Sequence, residues 1–114
     1  MPDEYWAAYR EVTNARKADR RLASNRTAAE AMRVAAGNGY QLRQVAEDSW
    51  QLRSPAGWLL NVYPTTQRLY ANPTREPKPP YLRPRLPTQR AWTVLDVVRV
   101  AIATDEATTG DVPE

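Results

Sequence analysis

The chain has 114 residues, 42% of them hydrophobic, with 16 Lys and Arg against 13 Asp and Glu and neither Cys nor His. That length suits one small domain, and the missing residue types exclude a zinc finger, a Cys or Ser–His nucleophile and an imidazole base. No Gly-rich phosphate loop, EF-hand spacing, signal peptide or apolar run near the ~20 residues of a membrane span is present, so a cytoplasmic non-enzyme without metal, cofactor or membrane contact is expected.

Residues 4–22 have the spacing of an amphipathic helix, with Tyr5, Ala8, Tyr9, Val12, Ala15 and Leu22 at three- and four-residue steps. Arg10, Arg16, Lys17, Arg20 and Arg21 gather in its second half. They can form a nucleic-acid face, or they can be solvated cations that complement the helix dipole. Ser24-Asn25 interrupts the pattern, and Thr27-Ala-Ala-Glu30 spells a capping box. A second short helix is therefore predicted, ending at Gly37 or Gly39.

Strands are predicted over Tyr40–Val45, Trp50–Ser54, Trp58–Tyr63 and Arg68–Ala71, joined by turns too short for parallel crossovers. The central hairpin is the most explicit. Pro55 suits position i+1 of a type I turn and Gly57 the left-handed bulge after it. A three-residue loop then pairs Leu52 with Leu60 and Trp50 with Val62. Trp50, Leu52, Trp58, Leu60 and Val62 share the buried face, while Tyr63, Arg53 and Arg43 fall on the outer surface.

Residues 73–90 hold six prolines, five bases and one acid. That density predicts an extended arm, without helix or regular strand over 73–87, pinned across the sheet by Tyr81, Leu82 and Leu86. Thr93–Thr104 reads as a helix opened by Thr93-x-x-Asp96, with Trp92, Leu95, Val98 and Ile102 on its apolar face. Val94, Val97 and Val100 broaden that face, which fits either deep burial or a homodimer seam. The whole is an α+β domain over residues 1–104: two N-terminal helices, a three- to four-stranded antiparallel meander, a Pro-rich arm (72–90) and a C-terminal helix. Residues 105–114 are expected to be a disordered acidic tail.

The stretch from Gly39-Tyr40 to Tyr70, with Trp-x-Leu, a Gly turn and Asn-Val-Tyr-Pro-Thr-Thr-Gln-Arg, resembles short proteins of bacteriophage and plasmid genomes. The resemblance implies a mobile-element origin and no particular chemistry. Residues 1–104 carry sixteen bases against nine acids, and fourteen of the bases are Arg. Arg is suited to phosphate, although an Arg-rich genome produces the same bias.

The leading expectation is a non-enzymatic accessory protein that contacts nucleic acid or a host nucleoprotein complex. Its contact residues are Arg16, Lys17, Arg20 and Arg21 on the first helix, with Arg53, Arg68 and Tyr63 on the sheet. The alternative is a protein-binding inhibitor or adaptor without nucleic-acid contact. A third reading comes from Trp50-Gln-Leu-Arg53 and Tyr63, which resemble the strand pattern of RelE-type RNA-cleaving toxins. The Pro-rich arm and the absence of Lys from the strands depart from that pattern.

Overall fold

The computed structural model describes the backbone of residues 3–110 and the side chains of residues 6–105. Its elements are α1 (Asp3–Gly37), β1 (Gln41–Ala46), β2 (Ser49–Arg53), β3 (Leu59–Tyr63), β4 (Arg68–Ala71), a 3-10 turn (Arg83–Arg85) and α2 (Val94–Gly110). The strands form one antiparallel sheet in the order β1-β2-β3-β4.

The hairpin has the predicted register. Trp50 pairs with Val62 and Leu52 with Leu60. Gly57, at φ +100°, donates its N–H to the Ser54 carbonyl at 3.0 Å, and the Ser54 N–H donates to the Trp58 carbonyl at 3.0 Å. The five residues expected inside are all 4% exposed or less. Trp58 meets the Tyr40 ring edge-on, with centroids 5.8 Å apart.

The N-terminal region departs from expectation. One continuous 35-residue helix stands where two were predicted. The Thr27 hydroxyl caps nothing; it donates back to the carbonyls of Ala23 and Ser24 at 3.2 and 3.0 Å. Ser24 is buried, and its Oγ accepts the Val94 N–H at 3.3 Å. The residue that reads locally as a break thus satisfies an orphan donor at the start of α2. Glu30 bonds to Arg99 of α2 at 3.0 Å, which ties the helices together. Buried Ala31 and Ala35 then let α1 lie close to the core.

The C-terminal helix opens as predicted. The Thr93 N–H donates to Asp96 at 2.7 Å, and the Asp96 N–H donates to the Thr93 hydroxyl at 3.4 Å. Val94, Val97, Val98 and Ala101 are fully buried, so the chain's own core accounts for the broad apolar face. The helix continues to Gly110, into the stretch expected to be a disordered tail; residues 111–114 lie outside the described residues.

The Pro-rich arm is docked: Leu82 and Leu86 are buried, and Arg83 donates to the Gln67 carbonyl at 3.0 Å. Tyr81 is 77% exposed and pins nothing, and the 3-10 turn at Arg83–Arg85 interrupts the extended run. The arm lies beside the inner edge of the sheet, where Leu60, Leu69, Pro79, Pro80 and Leu82 line a cleft. Helices and arm together cover one sheet face and leave the other bare.

Ser24→Ala should orphan the buried Val94 N–H and destabilise the fold by about 1–2 kcal/mol in urea denaturation. Trp58→Ala, which empties a core site, should cost about 3–5 kcal/mol.

Candidate nucleic-acid interface

Because side chains alternate along a strand, the register that buries the tryptophans also assembles the outer face. Three rows of side chains cross it. Arg43, Gln51, Asn61 and Tyr70 stand side by side in one, Gln41, Arg53 and Leu59 in the second, and Tyr63 and Arg68 in the third. The four strands contain no Asp or Glu. Their three arginines, Arg43, Arg53 and Arg68, are all exposed on this face.

The polar groups are ordered among themselves. Tyr63 and Tyr70 meet edge-to-face at 5.5 Å, and Arg68 donates to the Tyr70 hydroxyl at 3.2 Å. The Gln51 carboxamide donates to the Asn61 side-chain oxygen at 3.2 Å. Gln41, Arg43, Gln51, Arg53 and Leu59 line a shallow depression at the β1–β2 side. Aromatic rings on which bases stack, beside guanidinium groups that pair with phosphate, are the elements of a single-strand binding surface.

The predicted helical cluster divides. Arg16 and Lys17 are exposed on α1. Arg20 donates to the Thr65 carbonyl at 3.2 Å, and Arg21 makes a double hydrogen bond to Asp48 with Glu47 a further 3.5 Å away. Asp48 also accepts from the Thr65 hydroxyl at 3.0 Å. These two arginines therefore fasten α1 to the β1–β2 and β3–β4 turns, a role that their sequence density did not signal. On the sheet, Arg53, Arg68 and Tyr63 share one face as expected, and Tyr70 joins them.

Arg53 and Tyr63, on which the RelE-type resemblance rests, lie in separate rows. Arg53 pairs with Leu59, four residues before Tyr63, which places the two about 13 Å apart along the strand. Among the described residues, no three His, Cys, Asp or Glu cluster to hold a metal, and no helix is long and apolar enough to cross a membrane.

Hydrogen bonds from Arg21 hold the Asp48 carboxyl below its ordinary range, against a smaller opposing effect of desolvation. Arg90 does the same for Asp96, bonding it at 2.8 and 2.9 Å, with help from Thr93. Burial raises Asp105, which accepts the Tyr40 hydroxyl. Comparison with known proteins returns no match among family models, curated proteins or solved structures.

The two lowered carboxyls give up protons more readily folded than unfolded. Their stabilising effect is complete above the unfolded value of about 3.9 and is lost as pH falls through the folded-state values. Asp105 acts in the opposite sense, gaining stability as it protonates. The double variant Asp48→Asn/Asp96→Asn should be less stable than the parent at neutral pH. In thermal melts it should also show a smaller acid-induced fall in midpoint below about pH 4 than the parent.

Proposed function

We propose that the protein is a non-enzymatic binding module whose outer sheet face contacts single-stranded nucleic acid, alone or within a nucleoprotein complex. The observation that carries this reading is the sheet's charge pattern: three exposed arginines, two tyrosines in ring contact and no acid in any strand. With no carboxylate among the strand residues, these arginines can meet phosphate without competition from an acid beside them in the sheet. Arg16 and Lys17, exposed on α1 beside the Arg20 that reaches the Thr65 carbonyl, are secondary contact candidates. The resemblance of the Gly39–Tyr70 stretch to short phage and plasmid proteins supports a role as a mobile-element accessory factor.

The test is fluorescence anisotropy with labelled single-stranded RNA and DNA of mixed sequence. Affinity should fall with salt at a log–log slope of about −2, from about −0.7 for each phosphate met by Arg43, Arg53 and Arg68. Arg53→Glu with Arg68→Glu should remove most binding, and Tyr63→Ala should cost about 1–3 kcal/mol if a base stacks there. Absence of binding at low salt, or binding indifferent to the arginine reversals, overturns the proposal in favour of an adaptor that meets only protein.

A further inference from the structure

Beyond that reading, the first helix carries a surface that the fold does not use. A seven-residue repeat of small and apolar residues runs along one side of α1, with charged residues interleaved after Val12. Ala8, Ala15, Leu22, Ala29 and Ala36 occupy one seven-residue series, and Val12, Asp19, Arg26 and Arg33 the interleaved one; all nine residues are exposed. Val12 is 52% and Leu22 49% exposed, and Met32 flanks the stripe at 39%. Ser24, Ala31 and Ala35, which face the chain's own core, lie on the opposite side of the helix. The alanines of this stripe, with Val12 and Leu22, are not covered within the monomer.

The helix is also half unsupported. Every described residue from Trp6 to Asp19 except Thr13 is exposed. The chain extends 65 Å in its longest direction, and its radius of gyration of 16.3 Å exceeds the roughly 13 Å of a compact chain of this length. A segment of that length alone in water is marginal as a helix.

We propose that the occupant of this face is a second copy of the chain, its α1 running antiparallel. Charge selects both partner and direction. Along the stripe and its edge the acids Glu11 and Asp19 precede the bases Arg26 and Arg33. Parallel pairing sets Asp19, Arg26 and Arg33 each against its own copy, like on like, in the seam. Antiparallel pairing centred between Asp19 and Leu22 sets Val12 against Ala29, Ala15 against Arg26 and Ala8 against Arg33. It also brings Glu11 toward Arg33 and Asp19 toward Arg26 of the other copy. A phosphate backbone has no use for Val12, Leu22 and Met32, and would meet Glu11 and Asp19.

The geometry is self-complementary under a twofold axis. Each unsupported N-terminal half lies along the anchored half of the partner's helix, so the dimer supplies what the monomer lacks. The overlap of nearly the whole 35-residue helix, about 50 Å, is long enough to clear the ~1,000 Å² expected of a specific interface. The alanines permit close approach of the two axes.

Sedimentation equilibrium on the full chain, from micromolar to submillimolar concentration, should show a mass rising to that of two chains. Val12→Arg with Leu22→Arg changes only exposed positions, so circular dichroism should report an intact fold. The dissociation constant should nevertheless rise roughly tenfold or more. Arg33→Glu should weaken the dimer, and adding Glu11→Arg should restore it. The chain lacks Cys, so disulfide trapping reads direction: Ala15→Cys mixed with Arg26→Cys should cross-link, and neither should cross-link with itself. A single-chain mass throughout, a dimer indifferent to Val12→Arg/Leu22→Arg, or cross-linking of Ala15→Cys to itself overturns the proposal.

Discussion

The pairing of Leu52 with Leu60 decides the destination of every side chain in the sheet. Shifting it by one residue would bring Trp50 and Leu52 to the surface and turn Arg53 and Gln51 into the core, because the strand repeat is two. The pairing is held at one end by Gly57, whose left-handed backbone closes the Ser54–Trp58 loop. The aromatic core and the basic outer face are two consequences of that one parity. An arginine on this sheet is exposed because a tryptophan or leucine beside it is buried.

The parity was legible because turn chemistry and hydrophobic alternation agree over Trp50–Tyr63. Legibility failed where a polar side chain has a distant partner. Ser24 and Thr27 match a helix boundary if only neighbours are considered, yet Ser24 answers to Val94 across the core. Gln67 looks like one turn residue among several. Its carboxamide in fact holds Trp92 from both sides, accepting the Trp92 N–H at 2.9 Å and donating to the Trp92 carbonyl at 2.8 Å. Such bonds span 70 and 25 residues and leave no local trace. Tyr70 was within reach, since the alternation of β4 and the turn at Pro64–Gln67 put it on the Tyr63 side. Tyr81 shows the converse error: a large ring in a Pro-rich arm invites a role in docking, but the leucines on either side of the 3-10 turn are the buried residues and the ring stays exposed.

Charge is sorted in the same way. The sheet's own strands lack acids, while the nearest acids, Glu47 and Asp48 in the β1–β2 turn, face Arg21. Neutralising these acids locally keeps them from cancelling the arginines of the outer face. Arg20 and Arg21 act as fasteners, and this leaves Arg16 and Lys17 for anything beyond the fold.

The two surfaces of the molecule do not compete. The helices cover the inner side of the sheet, the basic face is its outer side, and the stripe of α1 points away from the core that lies between them. A dimer joined along α1 therefore buries neither Arg53 nor Tyr63. It stacks the layers as sheet, helices, helices and sheet, with the two basic faces turned outward. Each copy then meets its own stretch of a strand or its own site on a larger complex. Two weak faces on one rigid frame bind a repeated target far more tightly than either does alone. On the proposed reading, three arginines on one sheet would give modest affinity singly, and a pairing of α1 would raise it without enlarging the face.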